Sequence, residues 1–209
     1  MRSAADNFYT KKQTGYLLVE VLVSMLIITV GVVGIAKLQH VSKSSNAQAV
    51  QRTIASHLTD NLIERIRTNS AGIGTYFPND STVVLTGGSS TPATQCTAGN
   101  VCTPAQLATF DIWEWEQNLI GTFESASGAA TGGLVNPIVC LRRPAGGGDG
   151  LYQIAIAWHS QSRLEQQPIA ANSNASTCGT AASDNAYDAT GSNDNAHRRV
   201  HWQEIYLDV

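Results

Sequence analysis

The residues that could do chemistry are few and scattered along the chain. The sequence has five histidines, and they are His40, His57, His159, His197 and His201. They show neither the HExxH motif nor a paired metal spacing. No nucleophile, base and orienting group can be assembled from the sequence. We therefore expect no enzyme, no cofactor and no metal site, and the residue that stands out is Glu20.

Glu20 is the single charged residue in the apolar run 16–36. That run has about the 20 residues that a helix needs to cross a bilayer. A charged residue at the centre of such a helix costs about 2.5–3.5 kcal/mol, and less near its end, so an acid here indicates a partner and a purpose. The alternative is an incidental acid whose carboxylate reaches the membrane interface.

The flanks of the apolar run indicate its orientation. Arg2, Lys11 and Lys12 precede the run, and such a positive flank tends to remain in the cytoplasm. Lys37 and Lys43 follow it and weaken this signal. A cleaved secretory signal peptide is an alternative, because small residues end the run, but signal peptides have shorter hydrophobic regions of about 7–15 residues.

The residues around Glu20 carry a resemblance to a known family. The segment TGYLLVEVL, residues 14–22, resembles the class III signal of type IV pilins and type II secretion pseudopilins. The resemblance implies that a prepilin peptidase removes a leader, residues 1–15, by cutting between Gly15 and Tyr16. It also implies that Tyr16 is methylated and that Glu20 becomes the fifth mature residue. The family usually begins with Phe, and Tyr16 keeps the aromatic character.

This spacing has a physical rationale. Cutting after Gly15 creates an α-amino group whose reference pKa of about 8 keeps it mostly protonated, so it can neutralise Glu20. The pair can form within one chain, one helical turn apart, or with the amine of a neighbouring subunit. In the second case Glu20 sets the axial register of a filament, which is our hypothesis for its role.

The helix is predicted to continue beyond the membrane. Residues 16–68 contain no proline, and at 1.5 Å per residue they would form a rod of roughly 80 Å. Residues 16–36 are the transmembrane half and residues 37–68 the amphipathic half, with apolar positions at steps of three and four. That apolar stripe consists of Ala47, Val50, Ile54, Leu58, Leu62 and Ile66. Residues 69–72 should end the helix in a left-handed cap, and residues 69–209 should form a periplasmic globular domain.

The domain is predicted to combine one further helix with a small antiparallel sheet. Thr103, Pro104 and Gln106 form a capping box with proline at the first helical position. One side of the helix that follows is apolar and carries Ala108, Ile112, Trp115, Leu119 and Phe123. The predicted strands are 82–85, 138–142, 151–158 and 200–207. The expected fold class is α+β and type IV pilin-like: a long N-terminal α-helix packed against a small antiparallel β-sheet, with an extra helix and disulfide-stapled loops.

Four cysteines follow the apolar run, an even count that suits two disulfides in an oxidising compartment. Cys96 and Cys102 are close in sequence, which makes a short disulfide loop geometrically easy, whereas zinc would need closer spacing and a second ligand pair. Pairing of Cys140 with Cys178 would tether a long polar loop, with a closure term of about 4 kcal/mol. Loop geometry favours this connectivity, but the sequence does not prove it.

The chain between His159 and His197 is long and poor in apolar residues. Loops of this kind are usually functional or disordered. Asp184, Asp188 and Asp194 lie within it, but their spacing is not that of a calcium loop. We expect a solvated surface loop.

Within the pilin family the chain most resembles PilV-type minor pilins. The resemblance rests on EVLVS at 20–24, CTPAQLATFDIWEW at 102–115 and IAIAW at 154–158. It implies a minor pilin of the type IV pilus, in a tip or priming complex that initiates pilus assembly and supports twitching motility or adhesion. The implied partners are other minor pilins, the major pilin, the prepilin peptidase, the inner-membrane assembly platform, membrane lipid and a large tip adhesin. The net charge of −3, without clustered Lys and Arg, gives no reason to expect nucleic acid.

The implied location is the inner membrane, single-pass with the C-terminal domain in the periplasm, and then the pilus tip after assembly. One alternative in the same superfamily is an I-type minor pseudopilin of a type II secretion system. An alternative of another class is a periplasmic enzyme or binding protein on a single-span anchor. A major pilin is a further possibility, but Cys178 precedes a long tail and a final strand, whereas major pilins commonly close a C-terminal loop with a late disulfide.

Overall fold

The chain divides into two compact units, Met1–Ser45 and Asn46–Val209. The computed structural model describes residues 16–78, 82–97, 99–127, 129–143, 145–146, 148–163, 177–180, 187 and 195–208. The predicted leader, residues 1–15, and the three aspartates of the long loop lie outside these described residues.

Helix α1, Tyr16–Thr68, is continuous as predicted. Its apolar segment in the first unit is exposed, for example at Leu18 (70%) and Val30 (67%). Among the described residues α1 is the one helix long and apolar enough to cross a membrane, with a mean hydropathy of 2.6 in its most apolar 18-residue window. A signal sequence meets the same criterion, so length and hydropathy alone do not distinguish the two.

In the second unit α1 buries one face. The prediction is correct from Ile54 onwards, since Leu62 and Ile66 are fully buried and Ile54 and Leu58 are half-buried. It is wrong for Ala47 and Val50, which are exposed because the hydrophobic core of the domain begins at Ala55. The buried face is also wider than the predicted stripe and includes Ala55, Thr59 and Ile63.

The end of α1 differs from the prediction. Asn69 has φ −127°, so the expected left-handed cap is wrong, and the chain continues through a 3-10 helix, Ser70–Gly72, into a one-turn helix α2, Ile73–Tyr76. The side-chain amide of Asn69 instead donates to the carbonyl of Pro104. A side chain at Gly72 would lie 2.7 Å from the same carbonyl, so this close approach explains the glycine.

Helix α3, Pro104–Ile120, begins as predicted. Thr103 and Gln106 form both hydrogen bonds of the capping box. Trp115 is fully buried, and its indole N–H donates to the backbone carbonyl of Leu58 in α1 at 2.8 Å. Phe123 was expected on the apolar side but is 60% exposed, because the helix ends at Ile120 and Gly121 follows in the left-handed region.

The domain contains one four-stranded antiparallel sheet with strand order β1-β4-β5-β6. Its strands are β1 (Val83–Leu85), β4 (Ile138–Arg142), β5 (Gly150–His159) and β6 (Arg198–Leu207), close to the predicted ranges. A small separate hairpin of β2 (Ser125–Ala126) and β3 (Ala129–Ala130) was not predicted.

Both faces of the sheet are covered around β5. Its large residues face the core shared with α1 and α3, and they are Tyr152, Ile154, Ile156 and Trp158. The opposite face is lined by small side chains, Ala155 and Ala157, and is covered by Cys178 and Tyr187, both 1% exposed. This second core differs from the expected solvated loop, because Tyr187 belongs to that loop segment and is buried.

The structure contains two disulfides, and both pairs match the connectivity that loop geometry favoured. Cys96 pairs with Cys102 at a Cα–Cα distance of 5.8 Å, within the loop that leads to α3. Cys140 pairs with Cys178 at 5.7 Å, which ties the long loop to the small face of the sheet.

The two disulfides should contribute unequally to stability. The loop closed by Cys140 and Cys178 spans 38 residues, against 6 for Cys96 and Cys102. In the chain-entropy account, replacing Cys140 and Cys178 by alanine should lower the free energy of unfolding by about 4 kcal/mol. Replacing Cys96 and Cys102 by alanine should lower it by about 2 kcal/mol. Denaturant unfolding of the full chain in detergent would measure both. Equal losses, or a larger loss from the shorter loop, would contradict this account.

Candidate functional site

Glu20 lies on the exposed part of α1, among apolar side chains such as Val19 and Val21. The hydroxyl of Ser24 donates to the backbone carbonyl of Glu20 at 2.7 Å and leaves the carboxylate itself unused. In the portion of the chain that is described, no cation lies within salt-bridge distance of this carboxylate. An acid on an apolar helix therefore has to be neutralised from elsewhere before it enters apolar surroundings.

The other residues of the predicted processing site are only partly placed. Gly15 lies outside the described residues. Tyr16 is the first described residue of α1, four positions before Glu20. Residues four apart on a helix lie on the same face, one turn from each other. If the chain began at Tyr16, its amine would lie within one turn of the Glu20 carboxylate.

An ion network attaches the C-terminal end of α1 to the domain, and no spacing in the sequence indicates it. Arg65 lies between two carboxylates of α3, Asp111 at 2.9 Å and Glu114 at 2.7 Å. The hydroxyl of Tyr76 donates to the second oxygen of Asp111. Burial, and then this hydrogen bond, raise the pKa of Tyr76, so the phenol stays protonated and remains a donor. The network joins α1, α2 and α3.

Two buried polar atoms among the described residues have no hydrogen-bond partner, Oε2 of Glu116 and Nε2 of His201. They lie on different elements, α3 and β6. The other oxygen of Glu116 accepts from the backbone N–H of Gly87, which holds the segment after β1 against α3. Within the described ranges there is also no group of three His, Cys, Asp or Glu that could hold a metal ion.

A long N-terminal helix, a small antiparallel sheet, one further helix and two disulfides together form a type IV pilin-like α+β fold. The comparison with protein families agrees, because residues 37–113 match the Tt1218-like family model, described as type IV pilin Tt1218. The match covers less than half of the chain and supports the type IV pilin superfamily. It includes Arg65, Tyr76 and Asp111 of the ion network but not Glu114, and neither Glu20 nor strands β4 to β6. No curated protein and no solved structure matches the chain.

The Arg65 network should contribute far more to the free energy of unfolding than a surface ion pair on the same helix turn. Arg65 and Asp111 have side chains only 22% and 12% exposed, whereas Arg67 and its partner Glu64 are 53% and 66% exposed. Arg65→Met should lower the free energy of unfolding by about 2 kcal/mol or more, because it leaves the largely buried Asp111 carboxylate with the Tyr76 hydroxyl but without its cation.

Arg67→Met is the matched control and should change stability by less than about 0.5 kcal/mol. Both variants can be compared with the unsubstituted chain by denaturant unfolding. Comparable effects of the two substitutions would show that the network does not hold the three helices together.

Proposed function

We propose that this chain is a minor pilin of PilV type that enters the type IV pilus in a tip or priming complex, where it initiates pilus assembly and supports twitching motility or adhesion. In this proposal its partners are other minor pilins, the major pilin, the prepilin peptidase, the inner-membrane assembly platform and a large tip adhesin. The observation that carries the proposal is α1 itself, which is apolar and exposed around Glu20 and packed into a pilin-like domain further along.

The physical basis of the proposal is that the apolar segment of α1 and its carboxylate have different requirements. The exposed apolar segment requires a non-aqueous environment, which lipid supplies before assembly and the apolar helices of neighbouring subunits supply afterwards. In both environments an ionised Glu20 requires a cation. A new amine at Tyr16, on the same chain or on an adjacent one, is such a cation. Filament contact therefore depends on prior removal of the leader.

The proposed location follows from the same helix and from the disulfides. The basic leader remains in the cytoplasm, α1 spans the inner membrane, and the domain lies in the periplasm until the subunit enters the pilus. Two disulfides are expected in an oxidising compartment. The assignment to the PilV type rests on the segments 102–115 and 154–158, which form most of α3 and the core of β5.

The second candidate function is an I-type minor pseudopilin of a type II secretion system, which would use the same α1 and the same Glu20. Deleting the gene distinguishes the two systems. Loss of surface pili and twitching supports the minor pilin, and loss of exoprotein secretion supports the pseudopilin. A periplasmic enzyme or binding protein on an anchor would keep its N-terminal segment uncut.

Processing should produce a chain that begins at Tyr16 and carries one methyl group on its amine. N-terminal sequencing and intact mass of protein purified from its own membrane would measure this. Gly15→Val should block cleavage, since the peptidase cuts after glycine in the family that the sequence resembles, whereas the neighbouring Thr14→Ala should not. A mature chain that begins at Met1 or Lys37 would overturn the pilin assignment.

Glu20→Ala should leave processing intact but reduce the amount of this subunit in sheared filaments by about tenfold or more, the factor that 1.4 kcal/mol represents. The reason is that the variant leaves the new amine without its partner carboxylate in an apolar contact. Val21→Ala, which shortens an adjacent exposed apolar side chain, is the matched control and should be incorporated normally. Quantitative immunoblots of filament and membrane fractions separate failed incorporation from failed processing. Normal incorporation of Glu20→Ala would remove the proposed role of this residue.

A further inference from the structure

Two histidines meet where the long loop leaves and rejoins the sheet. His159 ends β5 and His197 immediately precedes β6. Their rings are stacked, with centroids 5.2 Å apart and planes 5° from parallel. The backbone N–H of Ser160 donates to the carbonyl of His197 at 2.8 Å, and Nδ1 of His197 lies 2.8 Å from the carbonyl of Ser160. The stacked rings and these hydrogen bonds therefore hold the two ends of the loop next to each other.

The closed segment also attaches to α1 through Ser162. The amide of Gln48 in α1 donates to the hydroxyl of Ser162 at 2.6 Å. The guanidinium of Arg199 in β6 donates to the carbonyl of Ser162 at 2.7 Å and to its hydroxyl at 3.2 Å. Arg199 is 7% exposed and Ser162 is half-buried, so these bonds are partly shielded from water. Ser160–Ser162 is therefore held between α1 and β6 at the stacked pair.

His159, His197 and Ser160–Ser162 form a cluster, and the charges around this cluster are mainly positive. Arg199 and His197 act on His159, and Arg198 donates to the carbonyl of Cys178 beside it. Further along β6, His201 has its buried Nε2 unpartnered and is influenced by two residues of α1, Arg52 and Asp60. Added protons would therefore place imidazolium ions beside arginines, with Asp60 as the acid that opposes this effect at His201.

We propose that this cluster is a proton-operated latch: the neutral ring of His159, stacked on His197, holds Ser160–Ser162 against α1 and β6, and protonation of His159 releases that segment. An imidazolium ring at His159, stacked 5.2 Å from His197, is unfavourable in this half-buried position and is repelled by the guanidinium of Arg199. The disulfide between Cys140 and Cys178 lies outside the latch and does not titrate, so the release is local and the domain remains folded. This inference concerns regulation of the domain and is independent of the proposed pilus function.

The direction of the pH dependence follows from burial. Burial first, and then the charges of His197 and Arg199, lower the pKa of His159 in the folded chain. A histidine whose pKa is depressed by folding stabilises the closed state fully above its ordinary pKa of about 6.5, and this stabilisation is lost as the pH falls below that value. Burial, followed by Arg52, lowers the pKa of His201 in the same direction. The latch is thus closed at neutral pH and opens under acid conditions.

Hydrogen exchange of the full chain in detergent micelles, measured by mass spectrometry at pH 7.5 and 5.0, tests the latch. After correction for the chemical exchange rate, the amides of His159 and Ser160, which donate to Val135 and His197, should exchange about tenfold faster at pH 5.0. The largest possible increase in the exchange rate is roughly thirtyfold. This is the value for one histidine that has a reference pKa of about 6.5 and stays neutral while the latch is closed. Equal protection at both pH values would overturn the proposal.

His159→Phe keeps an aromatic ring in the stack but cannot be protonated, so it should reduce the acid response to less than about twofold. His57→Gln, on an exposed histidine of α1, is the matched control and should keep the full response. A full response in His159→Phe would contradict the latch. If that variant fails to fold, NMR titration of the unsubstituted chain decides, because His159 should titrate at a lower pH than an imidazole in a short peptide. Titration at the same or a higher pH would overturn the proposal.

Discussion

The rest of this structure depends on one constraint, that a single helix must satisfy two different surroundings. Along its first part α1 exposes Leu, Val and Ile on every side, and each such side chain gains about 1.5–3 kcal/mol when it leaves water. The described part of this chain buries none of the most apolar window, so it does not itself supply that gain. Under the proposed function, Glu20 adds a specific requirement to this general one, since a carboxylate in apolar surroundings needs a cation nearby.

Further along, the same helix is held by contacts that the domain supplies. The apolar face around Leu62 and Ile66 packs into the core, and the indole of Trp115 caps a carbonyl of α1 directly. Near the C-terminal end of α1, Arg65 also forms ion pairs with two carboxylates of α3. These contacts explain why the end of α1 is a tight turn and not an open cap: Gly72 and Asn69 allow the start of α3 to approach.

The parts of the fold that sequence analysis predicted correctly are those with a local chemical signature. The capping box of α3, the alternation of large and small residues in β5 and the proline-free α1 are patterns that one segment contains by itself. The failures share the opposite property. The exposure of Ala47 and Val50, and the turn at Asn69, depend on where the core begins and on α3, which lies far away in sequence. The Arg65 network could not be predicted for the same reason, because its acids come from a different helix.

The long polar loop shows how a segment with few apolar residues can still cover a sheet. Ala155 and Ala157 leave a shallow face on β5, which one large side chain, Tyr187, can fill. The hydroxyl of Tyr187 donates to the carbonyl of Asn136 at 2.7 Å, so its polar end is also paired. The disulfide at Cys178 lowers the conformational entropy of the unfolded chain. It thereby supplies stability that a longer apolar segment would otherwise provide. A cover built from one covalent bond and one aromatic ring leaves the ends of the loop to be fixed by polar contacts, and such contacts respond to protons in a way that an apolar core does not.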